Sequence, residues 1–163
     1  MRAGRIAAGV LVPAALVASG FYAVHGHDRL ASEQQIADRR TSAARAASAD
    51  VPALLTYRGD QAQVREQMDA ARALVTSGFR AEFEELLTSL VEPTVAQKGF
   101  ATTAEVSRIG VVSGDADAVT LLVMLSQRTK RPGGSLGEPV ATRAEVRMVW
   151  SDGRWLVDDL KPV

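Results

Sequence analysis

Cysteine is absent from this 163-residue chain, and both of its histidines, at positions 25 and 27, lie near the N-terminus. The first absence excludes disulfide bonds, so the core must be stabilised by the 47% of residues that are hydrophobic. Because no histidine follows position 27, a Ser-His-Asp triad is excluded from the rest of the chain. A phosphate-binding loop is excluded as well, because Gly133-Gly134-Ser135 is followed by neither a lysine nor a helical pattern.

The chain also has no net charge, since 19 lysines and arginines balance 19 aspartates and glutamates. Without Arg2 and Arg5, 17 basic residues face 19 acidic ones, which leaves a net charge of about −2. A chain without an excess of basic residues is not expected to bind nucleic acid.

An uncharged, mainly apolar stretch runs from residue 6 to residue 24. As a helix it would extend about 28 Å, close to the roughly 30 Å of the hydrocarbon core of a bilayer. Arg2 and Arg5 precede it, which places the N-terminus in the cytoplasm by the positive-inside rule. We therefore predict a single-pass protein of the cell membrane, with a cytoplasmic tail over 1–5, an anchor in the lipid bilayer over 6–24 and the C-terminal part outside the cell.

The same stretch also fits a cleavable signal peptide, with its cleavage site at Ala18-Ser19-Gly20. The apolar run continues beyond that site through Val24, which favours the uncleaved anchor. Either reading exports the remainder, which is long enough for one domain with its own core.

A helical stalk is predicted over 25–55. Alanine, the residue with the highest helix propensity, is abundant there, and between Asp28 and Leu55 there is no glycine and no proline other than Pro52. Pro52 is expected to kink this helix or to end its first part. An apolar stripe at helical spacing is formed by Ile36, Ala43, Ala47, Val51 and Leu54.

Two further helices are predicted. The first covers about 61–76, capped by Asp60 and closed by Gly78. Its apolar face consists of Val64, Met68, Ala71 and Val75. The second is an amphipathic helix over 79–91, which Pro93 is expected to interrupt before a short continuation that ends at Gly99.

The remaining sequence has the pattern of β-strands. Residues 102–113 are rich in threonine, valine and isoleucine, and 119–125 form an apolar run typical of a strand covered on both faces. Residues 140–150 alternate between apolar and polar side chains. Turns are predicted at 113–117 and at Asp152-Gly153. Helices followed by four such strands indicate an α+β fold, with two or three helices packed on a curved four-stranded antiparallel sheet.

Several blocks in this order resemble one family, the Mce-associated membrane proteins of mycobacteria and related actinobacteria. They are Leu54-Leu55-Thr56-Tyr57, Thr76-Ser77-Gly78-Phe79-Arg80-Ala81-Glu82-Phe83, Gly110-Val111-Val112-Ser113, Leu121-Leu122-Val123, Asp152-Gly153-Arg154-Trp155-Leu156-Val157 and Leu160-Lys161-Pro162-Val163. The resemblance covers essentially the whole chain. It implies an exported domain over 56–163 that is similar to the nuclear transport factor 2 (NTF2) superfamily and to the periplasmic domain of the secretion protein VirB8.

The resemblance also implies a function. Mce-associated membrane proteins are accessory to Mce complexes, which import lipids or sterols. The chain is therefore expected to be a non-enzymatic assembly protein, with Mce subunits and further copies of itself as partners. Two alternatives stay open: a cone-shaped protein that binds a small apolar ligand or acts as an isomerase, and a VirB8-like secretion scaffold.

Candidate residues for a ligand pocket are Tyr57, Trp150, Trp155 and Asp159. Large aromatic side chains offer apolar area to a ligand, although packing against the helices is the simpler interpretation of the tryptophans. Asp159 or its neighbour Asp158 could act as a base within an apolar cavity, and the simpler interpretation is a solvated strand end.

The candidate partner-binding face consists of Arg143, Glu145 and Arg147, which share one face of their strand. The alternative is an ordinary solvated face. The segment His25-Gly26-His27-Asp28 lacks a third ligand at a fixed spacing, so no metal site is predicted. No catalytic residue and no cofactor is predicted either.

Overall fold

The computed structural model describes the backbone of residues 12–163 and the side chains of residues 32–95 and 98–163. The predicted tail over 1–5, and the predicted anchor over 6–24 as far as residue 11, lie outside these residues. Within the part that is described, no helix combines the length and the apolar character needed to cross a membrane. The chain divides into a unit that ends at Ala37 and a compact unit, Asp38–Val163.

Helix α1 runs from Val12 to Leu55. In the compact unit it buries one face, formed by Ala43, Ala47, Val51 and Leu54. Pro52 does not end the helix. The proline removes the hydrogen bond that a backbone N–H at this position would donate four residues back, and the burial of Val51 and Leu54 outweighs this loss. The division into a stalk over 25–55 and a domain over 56–163 stays a prediction, and the four buried residues are part of the compact unit.

Helix α2, Gln61–Arg72, begins as predicted at Asp60. A carboxylate oxygen of Asp60 accepts a hydrogen bond from the Gln63 backbone N–H at 2.9 Å, and the Gln63 side chain accepts one from the Asp60 N–H at 3.0 Å. This reciprocal pair satisfies two N–H groups that a helix start would otherwise leave without partners.

The end of α2 differs from the prediction, because the helix stops at Arg72 and Gly78 does not close it. The chain instead forms a short parallel bridge between Val75 and Val157. The Val157 N–H donates to the carbonyl oxygen of Leu74 at 2.9 Å, so this segment bonds to the sheet rather than to the helix. A tertiary contact has overridden the helical pattern of the sequence.

Helix α3, Arg80–Leu86, continues directly into a wider π-helix, Leu87–Gln97. Pro93 lies inside this π-helix and does not interrupt it, contrary to the prediction. Hydrogen bonds in a π-helix reach five residues back, so the proline ring does not face the carbonyl four residues back that it blocks in an α-helix.

The four strands form one antiparallel sheet in the order β1-β2-β3-β4, which confirms the α+β meander. They are β1, Ala101–Gly114; β2, Ala118–Lys130; β3, Val140–Ser151; and β4, Arg154–Pro162. Both predicted turns are present. Asp152 and Gly153 adopt positive φ angles of 51° and 80° in the β3–β4 turn. Two bulges interrupt β1, after Val106 and after Val111, and bulges of this kind bend a strand and increase its twist.

The inner face of the sheet packs on the helices. Alternate residues of β2 and β3 are buried there, namely Val119, Leu121, Val123, Leu125, Ala144, Val146 and Met148. Against them lie Val64, Met68, Phe79, Phe83 and Leu87 of the helical layer. The expectation that β2 is covered on both faces is wrong: Met124 points to the outer face and is 38% exposed.

Candidate functional site

Trp150 and Trp155 form a pair at the end of the sheet nearest the Asp152-Gly153 turn. They lie opposite each other on β3 and β4, with ring centroids 5.4 Å apart in an edge-to-face arrangement. The Trp155 indole N–H donates to the Ser42 hydroxyl oxygen at 2.8 Å. The Arg39 guanidinium lies 4.1 Å from the centre of the Trp150 ring, within the range of a cation–π contact. The pair therefore packs against α1.

Tyr57 lies at the opposite end of the core, beside the first residues of β1. Its backbone exchanges two hydrogen bonds with Thr102, at 3.0 and 2.9 Å. Its side chain is 2% exposed, and its hydroxyl has no hydrogen-bond partner among the described residues. Burial raises the pKa of the Tyr57 hydroxyl, and the nearby Arg72 charge partly opposes that rise.

The two aspartates near Trp155 are engaged in pairs. Asp158 occupies a bulge of β4; one of its carboxylate oxygens accepts a hydrogen bond from the Thr76 hydroxyl at 2.7 Å, and the other lies 3.2 Å from Nε of Arg147. Asp159 forms an ion pair with Lys161, which raises the pKa of that lysine. The structure thus distributes Tyr57, the tryptophans and the aspartates over three places, and their role in a pocket stays a prediction.

Arg143, Glu145 and Arg147 project from the outer face of β3 and are exposed, whereas the residues between them are buried. Glu145 lies between Leu122 of β2 and Lys161 of β4. Arg147 is held by Asp158. The Arg143 guanidinium has no hydrogen-bond or ion-pair partner in the part of the chain that the structure describes. The predicted outward orientation of this face is confirmed, and its role in binding a partner stays a prediction.

Two residues of this face could not be assigned from the sequence. Met124 lies directly opposite Arg143, and Leu122 lies opposite Glu145. Methionine and arginine are both enriched in protein interfaces, and a mixture of exposed apolar and charged groups is typical of them. The only signal in the sequence was that these two residues alternate with the inward-facing residues of β2. The continuous apolar run concealed this alternation. We refer to Leu122, Met124, Arg143, Glu145 and Arg147 as the outer-face cluster.

An open cleft of about 410 Å³ lies where β1 begins, and the sequence did not indicate it. Arg58, Glu105 and Arg128 are charged residues on its walls. In the residues with described side chains, no group of three or more histidine, aspartate or glutamate residues is placed to hold a metal ion. The cleft therefore offers charge but no metal-ligand set.

Comparison with known proteins gives one related sequence family. No family model matches the chain. The chain is 30% identical over 124 residues to a Mycobacterium tuberculosis protein named outer membrane protein Rv1973, and the match covers 76% of each chain. Its counterpart in another strain of that species, outer membrane protein MT2024.1, matches to the same extent.

Solved structures share the fold at low sequence identity. An IcmL-like type IV secretion system protein from Legionella pneumophila has a TM-score of 0.63 at 15% identity, over 76% of this chain and 91% of that chain. CagV, a VirB8 homologue of Helicobacter pylori, has a TM-score of 0.58 at 13% identity, over 76% and 97%. An NTF2-like protein from Novosphingobium aromaticivorans has a TM-score of 0.53 at 13% identity, over 82% and 86%. The fold is therefore VirB8-like and NTF2-like.

Proposed function

The chain belongs to the family of the mycobacterial outer membrane protein Rv1973, and from this premise we propose that it is a non-enzymatic, membrane-associated protein of the cell envelope that assembles a complex through the outer face of its sheet. The outer-face cluster carries the proposal. It combines exposed Met124 and the carboxylate of Glu145 with the guanidinium of Arg143, which has no partner among the described residues, on two adjacent strands. Charges arranged in this way select a complementary partner and fix its orientation.

The interior of the fold supports a non-enzymatic role. Val119, Leu121 and Val123 face the helices and are fully buried in a continuous apolar cluster. A general base in a cone-shaped fold would need a carboxyl group held in an apolar cavity with a raised pKa. Asp158 and Asp159, the carboxyl groups that the sequence suggests for this role, are paired with basic side chains near the surface.

A charge exchange tests the role of the outer-face cluster without changing net charge. The variant Arg143→Glu/Glu145→Arg reverses the local pattern, and Arg65→Glu/Glu66→Arg makes the same exchange on the exposed face of α2. Each full-length variant is crosslinked in membranes and purified, and the copurifying proteins are quantified. We expect the first exchange to reduce partner recovery at least about tenfold, as loss of an interfacial charge pair does, and the second to leave it unchanged. Equal recovery with both variants contradicts the proposal.

The partner complex is proposed to be of the Mce type, with a role in lipid or sterol import. This step rests on the blocks of sequence that resemble Mce-associated membrane proteins. The same purification discriminates between the candidates, because it identifies the crosslinked proteins. Recovery of lipid-transport subunits supports the Mce assignment, whereas recovery of secretion-system subunits in their place supports a VirB8-like scaffold.

The topology is part of the proposal: the N-terminus in the cytoplasm, the segment 6–24 in the membrane and the domain outside the cell. The name of the related protein supports an envelope location. The test is the mature mass of the chain. We expect an uncleaved N-terminus and a domain that is digested by protease added to intact spheroplasts. A mature protein that begins at residue 19, 20 or 21 contradicts the anchor and favours the signal peptide.

A second candidate function, the binding of a small apolar ligand, is favoured by one observation. The buried Tyr57 hydroxyl has no partner among the described residues and would gain one from a ligand hydroxyl or carbonyl. Fluorescent sterol and fatty-acid probes test it with the purified protein. Saturable binding that Tyr57→Phe weakens would support a carrier, and binding that is equal in both proteins or absent from both argues against it.

A further inference from the structure

The cleft where β1 begins lies on the face of the sheet that points away from the helices. Thr103 and Glu105 line it, and Ala104 between them is buried, so the two lining residues point to the outer face. Arg128 lies directly opposite Thr103 on β2 and lines the cleft as well. The cleft is therefore distinct from the buried interior of the fold, and among the described residues it shares none with the outer-face cluster.

The wall on the other side of β1 is formed by the connection between α1 and α2. Tyr57 pairs with Thr102 in an antiparallel bridge, and the same pairing one residue further on places Thr56 opposite Thr103. The Thr56 hydroxyl oxygen accepts a hydrogen bond from the Ala104 N–H at 3.0 Å. This bond fixes Thr56 beside β1, so the start of the strand lies between this wall and β2.

Arg58 stands on the same wall and has a fixed backbone. Its N–H donates to Oε1 of Gln67 at 2.9 Å, and its carbonyl oxygen accepts a hydrogen bond from Nε2 of the same residue at 2.8 Å. Because Tyr57 is buried in the core, the neighbouring Arg58 points to the outer face. Two strand spacings and two residues separate it from Arg128, which places their Cα atoms roughly 12 Å apart. Both guanidinium groups can therefore reach one ligand that lies between them.

The walls of the cleft carry more hydrogen-bond donors than acceptors. In the part of the chain that the structure describes, the side chains of Arg58 and Arg128 have no hydrogen-bond or ion-pair partner, and the hydroxyls of Thr56 and Thr103 donate to no acceptor. Glu105 pairs with neither arginine, so two arginines and one glutamate leave the cleft with a charge of +1. Such a set of donors suits a ligand that accepts hydrogen bonds and carries negative charge.

The β2–β3 loop folds back beside Arg128 and adds an apolar group to the cleft. Leu136 forms an antiparallel bridge with Lys130, and the Gly137 N–H donates to the carbonyl oxygen of Thr129 at 3.1 Å. Leu136 thereby lines the cleft while it remains 47% exposed. The cleft volume of about 410 Å³ is far larger than the roughly 30 Å³ of a water molecule in the liquid. It has room for a charged group together with the rest of the molecule that carries it.

We propose that this cleft binds a phosphate group with a single negative charge, as in a phosphodiester, between the guanidinium groups of Arg58 and Arg128. A guanidinium group donates two parallel N–H groups to a phosphate, which fixes the orientation of the ligand. The hydroxyls of Thr56 and Thr103 donate to the same group. The carboxylate of Glu105 repels a second negative charge. The proposal does not rest on the proposed partner complex, because none of these residues belongs to the outer-face cluster.

A phosphate group fits these donors better than a carboxylate does. Two guanidinium forks and two hydroxyls present about six donors, whereas a carboxylate has about four acceptor sites, all in one plane. The donors come from three directions, namely the connection between α1 and α2, β1 and β2. The oxygens of a phosphate are arranged tetrahedrally and accept hydrogen bonds from such directions. A lipid headgroup and a soluble phosphodiester share this chemistry.

The first test compares three exposed arginines. Arg58 and Arg128 line the cleft, whereas Arg108 lies outside it on β1, opposite Met124. The full chain in a nonionic detergent is titrated with glycerophosphoglycerol, a soluble phosphodiester, and NMR chemical shifts give the dissociation constant. We expect Arg58→Gln and Arg128→Gln each to raise it at least about tenfold, and Arg108→Gln, which removes the same charge, to leave it within about twofold. No saturable binding to the wild type, or equal losses in all three variants, overturns the proposal.

The second test uses the charge of Glu105. Glu105→Gln removes the carboxylate beside the arginines, and Glu66→Gln removes the same charge from the exposed face of α2. We expect the first variant to bind glycerophosphoglycerol at least about threefold more tightly than the wild type, and the second to bind it equally well. An equal gain in both variants, or none in either, overturns the assignment of the phosphate group to this cleft.

Two further probes identify the ligand class. N-acetylglycine is a carboxylate with the same single charge, and displacement of glycerophosphoglycerol by an equal concentration of it would overturn the choice of phosphate. Dihexanoylphosphatidylglycerol has the headgroup of the soluble probe and two short acyl chains. Tighter binding of this lipid, weakened by Leu136→Ser, identifies a lipid headgroup as the ligand, and equal affinity for both probes identifies a soluble phosphodiester. Either result supports the phosphate site, whereas lipid binding that Arg58→Gln leaves unchanged overturns it.

Discussion

The indole N–H of Trp155 and the hydroxyl of Ser42 are 113 residues apart in sequence and 2.8 Å apart in the structure. Trp155 is 5% exposed, so its N–H can satisfy its hydrogen-bonding requirement only within the protein. This bond connects helix α1 to the last hairpin of the sheet. It also sets the position of Trp155 against Trp150, and hence the shape of the aromatic pair.

Removal of the Ser42 hydroxyl should destabilise the compact unit. Ser42→Ala leaves the buried N–H of Trp155 without a partner, and we expect the free energy of unfolding to fall by about 1–3 kcal/mol. Ser48→Ala in the same helix is the control, because its hydroxyl is exposed and bonds only locally to the carbonyl oxygen of Arg45. Its effect should stay below about 0.5 kcal/mol. Urea unfolding, monitored by tryptophan fluorescence, measures the free energy of unfolding of both variants. Equal losses would show that the hydrogen bond between Trp155 and Ser42 does not stabilise the fold.

Gly114 should not tolerate a side chain. Its φ angle is +146°, and an added Cβ would lie 2.6 Å from the carbonyl oxygen of Ala118 and 2.7 Å from Cα of Val119. These are backbone atoms, which can move away only if the chain is distorted. We therefore expect Gly114→Ala to lower the free energy of unfolding by about 2–4 kcal/mol. Gly78→Ala is the matched control, since its Cβ would meet only side-chain atoms at 3.8 Å and beyond. Thermal and urea unfolding of the two variants check the difference; a Gly114→Ala protein as stable as Gly78→Ala would contradict it.

The features that sequence reasoning recovered are those with local causes. Asp60 caps α2 because its own carboxylate reaches an N–H three residues later. The Asp152-Gly153 turn forms because these two residues tolerate positive φ angles. The outward direction of Arg143, Glu145 and Arg147 follows from the two-residue period of a strand.

The features that it missed depend on distant contacts. Helix α2 ends early because Val75 pairs with Val157, 82 residues later. Met124 belongs to the outer face because the neighbouring strands leave it exposed, which an apolar run cannot reveal. The cleft where β1 begins depends on the pairing of Tyr57 with Thr102 and on the fold of the β2–β3 loop. None of these arrangements can be recognised from the short stretch of neighbouring residues over which a sequence pattern is read.

The Tyr57 hydroxyl should be dispensable for stability. Because it is buried without a partner among the described residues, Tyr57→Phe removes a desolvated polar group and should leave the free energy of unfolding unchanged or raise it by about 1 kcal/mol. Burial raises the pKa of this hydroxyl in the folded state, so the unfolded state ionises first as the pH rises. The wild type should therefore lose stability above about pH 10, and Tyr57→Phe should lose less. A loss of more than about 1 kcal/mol at neutral pH would reveal a hydrogen-bond partner.

The carboxylate of Asp115 should make the β1–β2 turn sensitive to acid. One of its oxygens accepts hydrogen bonds from the backbone N–H groups of Asp117 and Ala118, both at 2.9 Å, and these bonds lower its pKa. A carboxyl group whose pKa is lower in the folded state stabilises that state above its unfolded pKa of about 3.9, and the stabilisation disappears as the pH falls through the folded pKa.

Asp115→Ala should therefore be less stable than the wild type at pH 7, and the difference between the two proteins should shrink as the pH falls below about 4. Asp115→Asn keeps an oxygen acceptor without the charge. Its stability should therefore lie between those of the wild type and Asp115→Ala, and should depend less on pH than that of the wild type. Asp117→Ala is the control, because the Asp117 side chain is exposed and accepts no hydrogen bond from the part of the chain that the structure describes. Urea unfolding from pH 7 to pH 3 measures all four proteins. A difference between wild type and Asp115→Ala that stays constant over this range would mean that the charge of Asp115 does not stabilise the turn.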